Sequence, residues 1–242
     1  MRYTADENKT EKEMVIMIKA VLFDMNETLL NLSLLKEKFA QHFEGDFAMA
    51  YWFKTVLHSS TVLGGLNEYE DFSKLTEAAL ESLFMESGKE LTEETKKDIL
   101  GAFQELPAYD DVEKALKLLQ DNELTVIAVT NSSEAMVEKQ LTKAGIIDQV
   151  DHYYSVDAVK RYKPYKEIYD YVVNDQSLNT QETVMVATHD WDLFGAKKAG
   201  LKTAYIKRKN TQFNPYYPEP DFSNDDLVKL VEDILESNKS HQ

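Results

Sequence analysis

Four apolar runs of strand length are spread unevenly along the chain. VIMIKAVLF (15–23) stops at Asp24, and LTVIAV (124–129), TVMVAT (183–188) and TAYI (203–206) follow much later. Near-continuous runs suit strands of a parallel sheet that is covered on both faces. Between the later runs the apolar positions fall at helical spacing, in SEAMVEKQLTKAG (133–145), PYKEIYDYVVND (164–175) and DLFGAKKAG (192–200). Strands alternating with helices make βαβ units. The pattern therefore predicts an α/β fold, a Rossmann-like parallel sheet core with helices on both faces.

Between about 33 and 106 the alternation stops. LLKEKFAQHF, FAMAYWFKTVL, YEDFSKLTEAALESLF and EETKKDILGAFQEL all read as helices, punctuated by Gly64-Gly65 and Ser87-Gly88. The expected organisation is a polar N-terminal arm over 1–13, an α/β core from 14–32 and 107–242, and an all-helical cap domain over 33–106, inserted after the first strand.

Composition narrows the partners. Lys plus Arg is 27 against 43 Asp plus Glu, for a net charge of −16. Such a field repels nucleic acid and anionic lipid, so neither is an expected partner. A small anionic substrate needs a local positive pocket. No cysteine is present, which removes thiolate metal sites and a Cys nucleophile. The longest apolar stretch, Met14 to Phe23, is too short to span a bilayer, and the first thirteen residues show no signal-peptide pattern, so a cytoplasmic protein is expected.

In open parallel sheets, ligands bind beyond the carboxyl ends of the strands. The residues where the runs stop are Asp24, Thr130-Asn131-Ser132 and His189-Asp190-Trp191-Asp192, with Lys163-Pro164 after the short run Tyr153–Val156. Asp24 can act as a nucleophile with Thr28 one turn on, or simply cap a turn. TNSS suits a carboxylate or phosphate, or caps the next helix. Lys163 offsets carboxylate charge in a cleft or is solvated, and Pro164 suits a first helical position. Tyr169 reaches the same cleft or packs. The acids at 190 and 192 bind metal, activate water or cap a helix.

The order Asp, Thr-Asn, Lys-Pro, Asp at successive strand ends is far more specific than any part of it. With FDMNETLL, VTNSS, Lys163-Pro164 and THDWDLFGAKKAG, the chain resembles the haloacid dehalogenase superfamily from about Lys19 to Arg208. The RYKPYKEIY and WDLFGAKKAG stretches look closest to the 2-haloacid dehalogenase branch.

The departures sharpen that resemblance. Magnesium-dependent phosphatases of the superfamily carry an acid two residues after the nucleophile, where this chain has Asn26, and a second acid where it has Thr188. The resemblance to the dehalogenase branch implies metal-free, cofactor-free hydrolysis of small 2-haloalkanoic acids. Asp24 attacks C2 and forms an aspartyl ester. Lys163 keeps Asp24 ionised, Thr28 and Thr130 hydrogen-bond nucleophile or substrate, and Asn131 positions substrate. Asp192 prepares water. Asn26, Ser132, Tyr169, His189, Trp191 and Trp52 complete the substrate-binding set, with Phe39 beside Trp52 as a pocket wall.

The branch also receives halide on a cap arginine, yet only Arg2, Arg161 and Arg208 occur here. Lys54, His42, His58 or Trp52 are the substitutes, and a tight pocket of such donors suits fluoride, extending the expected substrates to fluoroacetate-like acids. Two other readings stand beside this one. One is a phosphatase of a small phosphorylated metabolite with magnesium on Asp24, Asp190 and Asp192, and the other a binding module that keeps the fold. Apolar groups on the cap helices suit a homodimer.

Overall fold

The computed structural model describes residues 17–45 and 47–239. The polar arm expected over 1–13 lies outside them. Six strands form one sheet: β1 (Ala20–Phe23), β2 (Thr125–Thr130), β3 (His152–Ser155), β4 (Thr183–Ala187), β5 (Lys202–Ile206) and β6 (Phe222–Asn224). Their spatial order is β3-β2-β1-β4-β5-β6, and every neighbouring pair is parallel. All residues of β1 and β4 are buried, as the unbroken apolar runs require. The first run gives a shorter strand than its length suggested. Lys19 is exposed and pairs with Glu182, and β-structure starts at Ala20. The edge strand β6 has no counterpart in the sequence reading, because three residues of FSN carry no readable period. Asp221 fixes it by accepting from the Thr203 N–H at 2.8 Å.

Five helices complete this layer: α5 (Val112–Asp121), α6 (Glu134–Lys143), α7 (Lys166–Asp175), α8 (Asp190–Lys198) and α9 (Leu227–Lys239). The chain moves outward from β1 to β3, then returns to β4 on the other side of β1. With right-handed crossovers this reversal puts α5 and α6 on one face and α7 and α8 on the other. The switch falls between β1 and β4, so their carboxyl ends frame the crevice where an open α/β sheet binds its ligand.

Four helices fill the segment after β1: α1 (Ser33–Ala40), α2 (Phe47–Gly65), α3 (Phe72–Glu86) and α4 (Glu93–Ala102). They form a block with its own aromatic core. Trp52 lies at its centre, 5.4 Å from the Phe39 ring and 5.7 Å from that of Phe103, with no exposed surface. Its indole N–H donates to the Thr76 carbonyl at 2.9 Å. This corrects two expectations. Trp52 and Phe39 are core of the helical block, not pocket walls, because a large amphipathic ring is stable inside only when its N–H finds a partner. Trp52 has found one within the block.

The block rests on the loop before α7. Tyr165 donates to the Thr61 carbonyl at 3.0 Å, and a β-carbon at Gly64 would stand 2.3 Å from the Tyr165 ring. The Lys163–Pro164 peptide is cis, and α7 begins only at Lys166. Pro164 is thus a turn residue two positions before the helix, a correction to its expected place as the first helical residue. Helix α8 packs directly on this turn, since a β-carbon at Gly195 would lie 2.2 Å from the Pro164 carbonyl oxygen.

Two glycines inside helices should therefore respond oppositely. Gly195→Ala should lower unfolding free energy in urea by about 2 kcal/mol, through overpacking against a backbone that cannot yield. Gly101→Ala, with nothing within 4 Å of its added carbon, should raise it by about 1 kcal/mol.

Candidate active site

The sheet delivers Asp24 one residue beyond β1, where its N–H donates to the Val186 carbonyl of β4 at 3.0 Å. The side chain is buried, and both oxygens are engaged. Oδ1 accepts from Lys163 Nζ at 2.7 Å, and Oδ2 accepts from the Thr28 hydroxyl at 2.8 Å and faces His189 Nδ1 at 3.0 Å. Burial alone would raise its pKa. The Lys163 ammonium and His189 outweigh burial and hold the carboxyl well below the usual carboxylate range, so Asp24 is ionised.

Lys163 is 1 % exposed. Its ammonium donates to Asp24, to Asp192 Oδ2 at 2.7 Å and to the Val129 carbonyl at 2.9 Å. These three acceptors use all its protons. Burial works against the charge, but Asp192 and Asp24 raise the pKa above the ordinary lysine value. Asp192 has no exposed surface, and its other oxygen accepts from the Tyr169 hydroxyl. Burial raises Asp192 despite the pull of Lys163. Tyr169 is likewise wholly buried and touches Asp192, so the structure places it behind Asp192 and not on a substrate wall.

Thr28 joins the two central strands at their tips, accepting from the Thr188 N–H at 3.0 Å while donating to Asp24. After β2, the Thr130 hydroxyl accepts from the Ser132 N–H at 3.1 Å, and Ser132 Oγ accepts from the Asn26 amide at 3.1 Å. The Asn131 side-chain oxygen Oδ1 accepts from the Lys163 backbone N–H at 2.9 Å. These residues brace the turn that carries Lys163. Two atoms stay unsatisfied by protein: Asn26 Oδ1 and Asn131 Nδ2 are buried without a partner. Both belong to residues hydrogen-bonded into the turns around Asp24, and a buried polar atom without a protein partner calls for an explanation, a bound ligand or water among them.

Sequence reasoning missed Glu27. It is 5 % exposed, and its backbone takes φ +64°, a conformation uncommon for a side-chain-bearing residue. Its Oε2 lies 3.0 Å from His189 Nε2, and its Oε1 pairs with Lys209. The imidazole thus bridges Asp24 and Glu27. Burial would lower its pKa, but the two carboxylates raise it to about 9, so the ring is protonated at neutral pH. Glu27 stays below its ordinary pKa because His189 and Lys209 offset its burial. The available signal was an acid three residues after Asp24 in FDMNETLL. Only the fold shows that it meets a histidine 162 positions away.

His189 also faces a cavity of about 770 Å³ between the sheet ends and α2. Trp191 stacks on the imidazole at 5.1 Å and lines this cavity, as do Phe53, Lys54 and His58 from α2. Of the expected halide receivers, Lys54 and His58 reach the cavity. Trp52 is core, and His42 sits in a separate surface hollow with Lys89. The residues do not fit the magnesium reading. Both Asp190 oxygens are taken by backbone donors, Trp191 N at 2.8 Å and Asn214 N at 3.1 Å, and the Lys163 ammonium already bridges Asp24 and Asp192. Among the described residues no cluster of three or more His, Asp or Glu is arranged to hold a metal, and no helix is long and apolar enough to cross a membrane.

Comparison with known proteins agrees with this geometry. A family model described as haloacid dehalogenase-like hydrolase matches residues 18–200. The chain is 30 % identical over 213 residues to (S)-2-haloacid dehalogenase 4A of Burkholderia cepacia, across 87 % of this chain and 90 % of that enzyme. It is 27 % identical over 217 residues to the (S)-2-haloacid dehalogenase of Pseudomonas sp. strain YL, across 89 % and 94 %. The solved structure of the L-2-haloacid dehalogenase from Xanthobacter autotrophicus superposes with a TM-score of 0.82 at 25 % identity, covering 89 % of this chain and 98 % of that one.

The bridged imidazole has a consequence for stability. Its pKa is raised from the ordinary value near 6.5 to about 9, so its contribution is complete below pH 6.5 and is lost as pH rises toward 9. Asp24 and Glu27, with lowered pKa values, and Lys163, with a raised one, do not titrate in that window. Unfolding free energy measured in urea should fall by up to about 3 kcal/mol across it, and His189→Gln should remove the decline.

Proposed function

The chain belongs to the haloacid dehalogenase-like hydrolase family, and from that premise we propose that it hydrolyses small 2-haloalkanoic acids through an ester on Asp24, without a metal. One observation carries this reading. Asp24 is a buried, ionised carboxylate whose charge is offset by a lysine ammonium at 2.7 Å, with an amide, Asn26, where a phosphatase of this family needs an acid. The relatives named (S)-2-haloacid dehalogenase, matched over nearly their whole length, support it.

In this reading an Asp24 carboxylate oxygen attacks C2 of the substrate. The carbon–halogen bond breaks with its electron pair leaving on the halide, and C2 inverts. The substrate is a monoanion whose charge is remote from C2, so Lys163 and hydrogen-bond donors suffice where phosphoryl transfer would call for a divalent cation. Lys54 and Lys209 give the cavity a local positive lining in a chain of net charge −16. Water then attacks the ester carbonyl carbon, frees the 2-hydroxy acid and regenerates Asp24. The helical block serves as the cap over the sheet ends, with α2 as its cavity wall. Asp192 and Tyr169 act on the chemistry by fixing Lys163. The compact donors His189 and His58 suit fluoride as well as larger halides, which extends the reading to fluoroacetate-like acids.

Halide release measured by ion chromatography tests it, using fluoro-, chloro- and bromoacetate and both 2-chloropropionate enantiomers. Release should persist in EDTA, favour the (S)-enantiomer and fall at least about a thousandfold in Asp24→Asn. Single turnover in H₂¹⁸O should place the label in Asp24. No halide from any of the five acids would overturn the reading.

A further inference from the structure

A cavity of about 770 Å³ is large for the acids named so far. Bromoacetate has five non-hydrogen atoms and occupies on the order of 100 Å³, on a scale where one water takes about 30 Å³. Pockets of roughly 300–1,000 Å³ enclose ligands several times larger. The walls are also ill suited to water. Met49, Phe53 and Leu57 come from α2 at four-residue spacing, which sets them in one apolar stripe, and Trp191 and Tyr205 line the cavity from the side of the sheet ends. The polar side chains Lys54, His58 and Lys209 are exposed, which places them at its mouth.

The cavity meets Asp24 at an aromatic end. His189, whose Nδ1 lies 3.0 Å from Asp24 Oδ2, stacks on Trp191 at 5.1 Å and stands 6.3 Å from the Phe53 ring. Thr188 lines the cavity too, and its N–H donates to the Thr28 hydroxyl that holds Asp24. A group projecting from C2 of an acid bound at Asp24 therefore has these rings beside it and the α2 stripe ahead of it. The ion pairs and hydrogen bonds that set Asp24 and Lys163 use none of Met49, Phe53 and Leu57.

We propose that this cavity receives the C2 substituent of the substrate, and that the preferred substrates are 2-halo acids carrying a large apolar group at C2, an aryl group above all. The proposal rests on the dehalogenase reading of Asp24 and narrows its substrate class, with the two- and three-carbon acids turned over as truncated substrates. Met49, Phe53, Leu57 and Trp191 are the specificity-determining residues. An aryl ring entering beside Trp191 and Phe53 meets ring faces and edges at which offset and edge-to-face pairs form. The Met49 thioether is a flexible, polarizable wall that adapts to rings of different shape. Apolar surface leaves water on both partners. The substituent is remote from the bonds that change, so its contacts are alike in the ground state and the transition state, and the gain falls on KM more than on kcat. The chemistry is otherwise unaltered: 2-bromo-3-phenylpropanoate and one water give 2-hydroxy-3-phenylpropanoate, bromide and one proton, and Asp24 is regenerated.

Steady-state bromide release tests the pocket with (S)-2-bromopropanoate, (S)-2-bromohexanoate and (S)-2-bromo-3-phenylpropanoate. All three are secondary bromides, so the reacting carbon is alike. Relative to the propanoate, kcat/KM should rise about 10-fold for the hexanoate and about 30-fold for the phenyl acid, with KM carrying the gain. Halogen-free 3-phenylpropanoate should inhibit at about 30-fold lower concentration than propanoate, a binding readout that needs no bond to break in the inhibitor. Ala50 lines the cavity from an exposed position on α2, so Ala50→Trp narrows the space without entering the core. It should cut the phenyl-to-methyl ratio of kcat/KM to below about 3, and Leu57→Ala should lower that ratio about 10-fold. Each ratio is read within one protein, and the wild-type series stands without either variant. Equal kcat/KM for the three acids, equal inhibition by the two halogen-free acids, or the full phenyl preference kept in Ala50→Trp would overturn the pocket while leaving the dehalogenase reading intact. No bromide from the wild type with any acid, bromoacetate included, would overturn that reading, and the pocket with it.

Discussion

Six charges alternate through the carboxyl ends of the central strands: Asp192, Lys163, Asp24, His189, Glu27 and Lys209. The rest of the structure depends on keeping that line complete. Lys163, Asp24 and Asp192 are almost wholly removed from water. A buried ion loses several kcal/mol of hydration, and only well-placed counter-charges and hydrogen bonds return it. Deleting a member leaves its neighbours as uncompensated buried charges. That penalty is why so much backbone is committed to positioning one ammonium group. Lys163 projects from a turn braced by Asn131 and packed under Gly195, and its far acceptor is locked by Tyr169.

The fold makes this line possible by reversing direction between β1 and β4. Both central strands end at the same level, so Asp24, Thr28 and Thr188 meet there without any long loop. Thr28 shows the economy of the arrangement, since one hydroxyl donates to Asp24 and accepts from the backbone just beyond β4. Arg208 closes the far side, donating to the Thr28 carbonyl at 3.1 Å and to Asp111 at 2.7 Å. Interior hydrogen bonds of this kind are costly to leave unmade and fix side chains to a narrow set of positions.

The helical block contributes one wall of the cavity. Its aromatics divide by helix face. Phe39, Trp52 and Phe103 pack inward, while Phe53 follows the face of α2 that carries Lys54, Leu57 and His58 to the cavity. Gly64 lets α2 settle on Tyr165, beside the turn that holds Lys163. The wall of the cavity and the Lys163 ammonium therefore depend on one loop.

The sequence by itself determined the α/β class, the helical block after the first strand, and Asp24, Lys163 and Asp192 as residues of one site. Those features are local. A buried parallel strand is an unbroken apolar run, a helix repeats every 3.6 residues, and each strand's end marks where chemistry can stand. Tertiary structure alone decided which aromatic lines the cavity and which is core, because Trp52 and Phe53 are adjacent in sequence and differ only in what lies across from them. It alone placed Tyr169 behind Asp192, gave the Asp190 oxygens to backbone donors, and brought Glu27 to His189. A carboxylate's role depends on the distance to its counter-charge and on the water excluded around it. For Asp24 and Glu27 the counter-charges, Lys163 and His189, stand 139 and 162 positions away, and no local pattern records them.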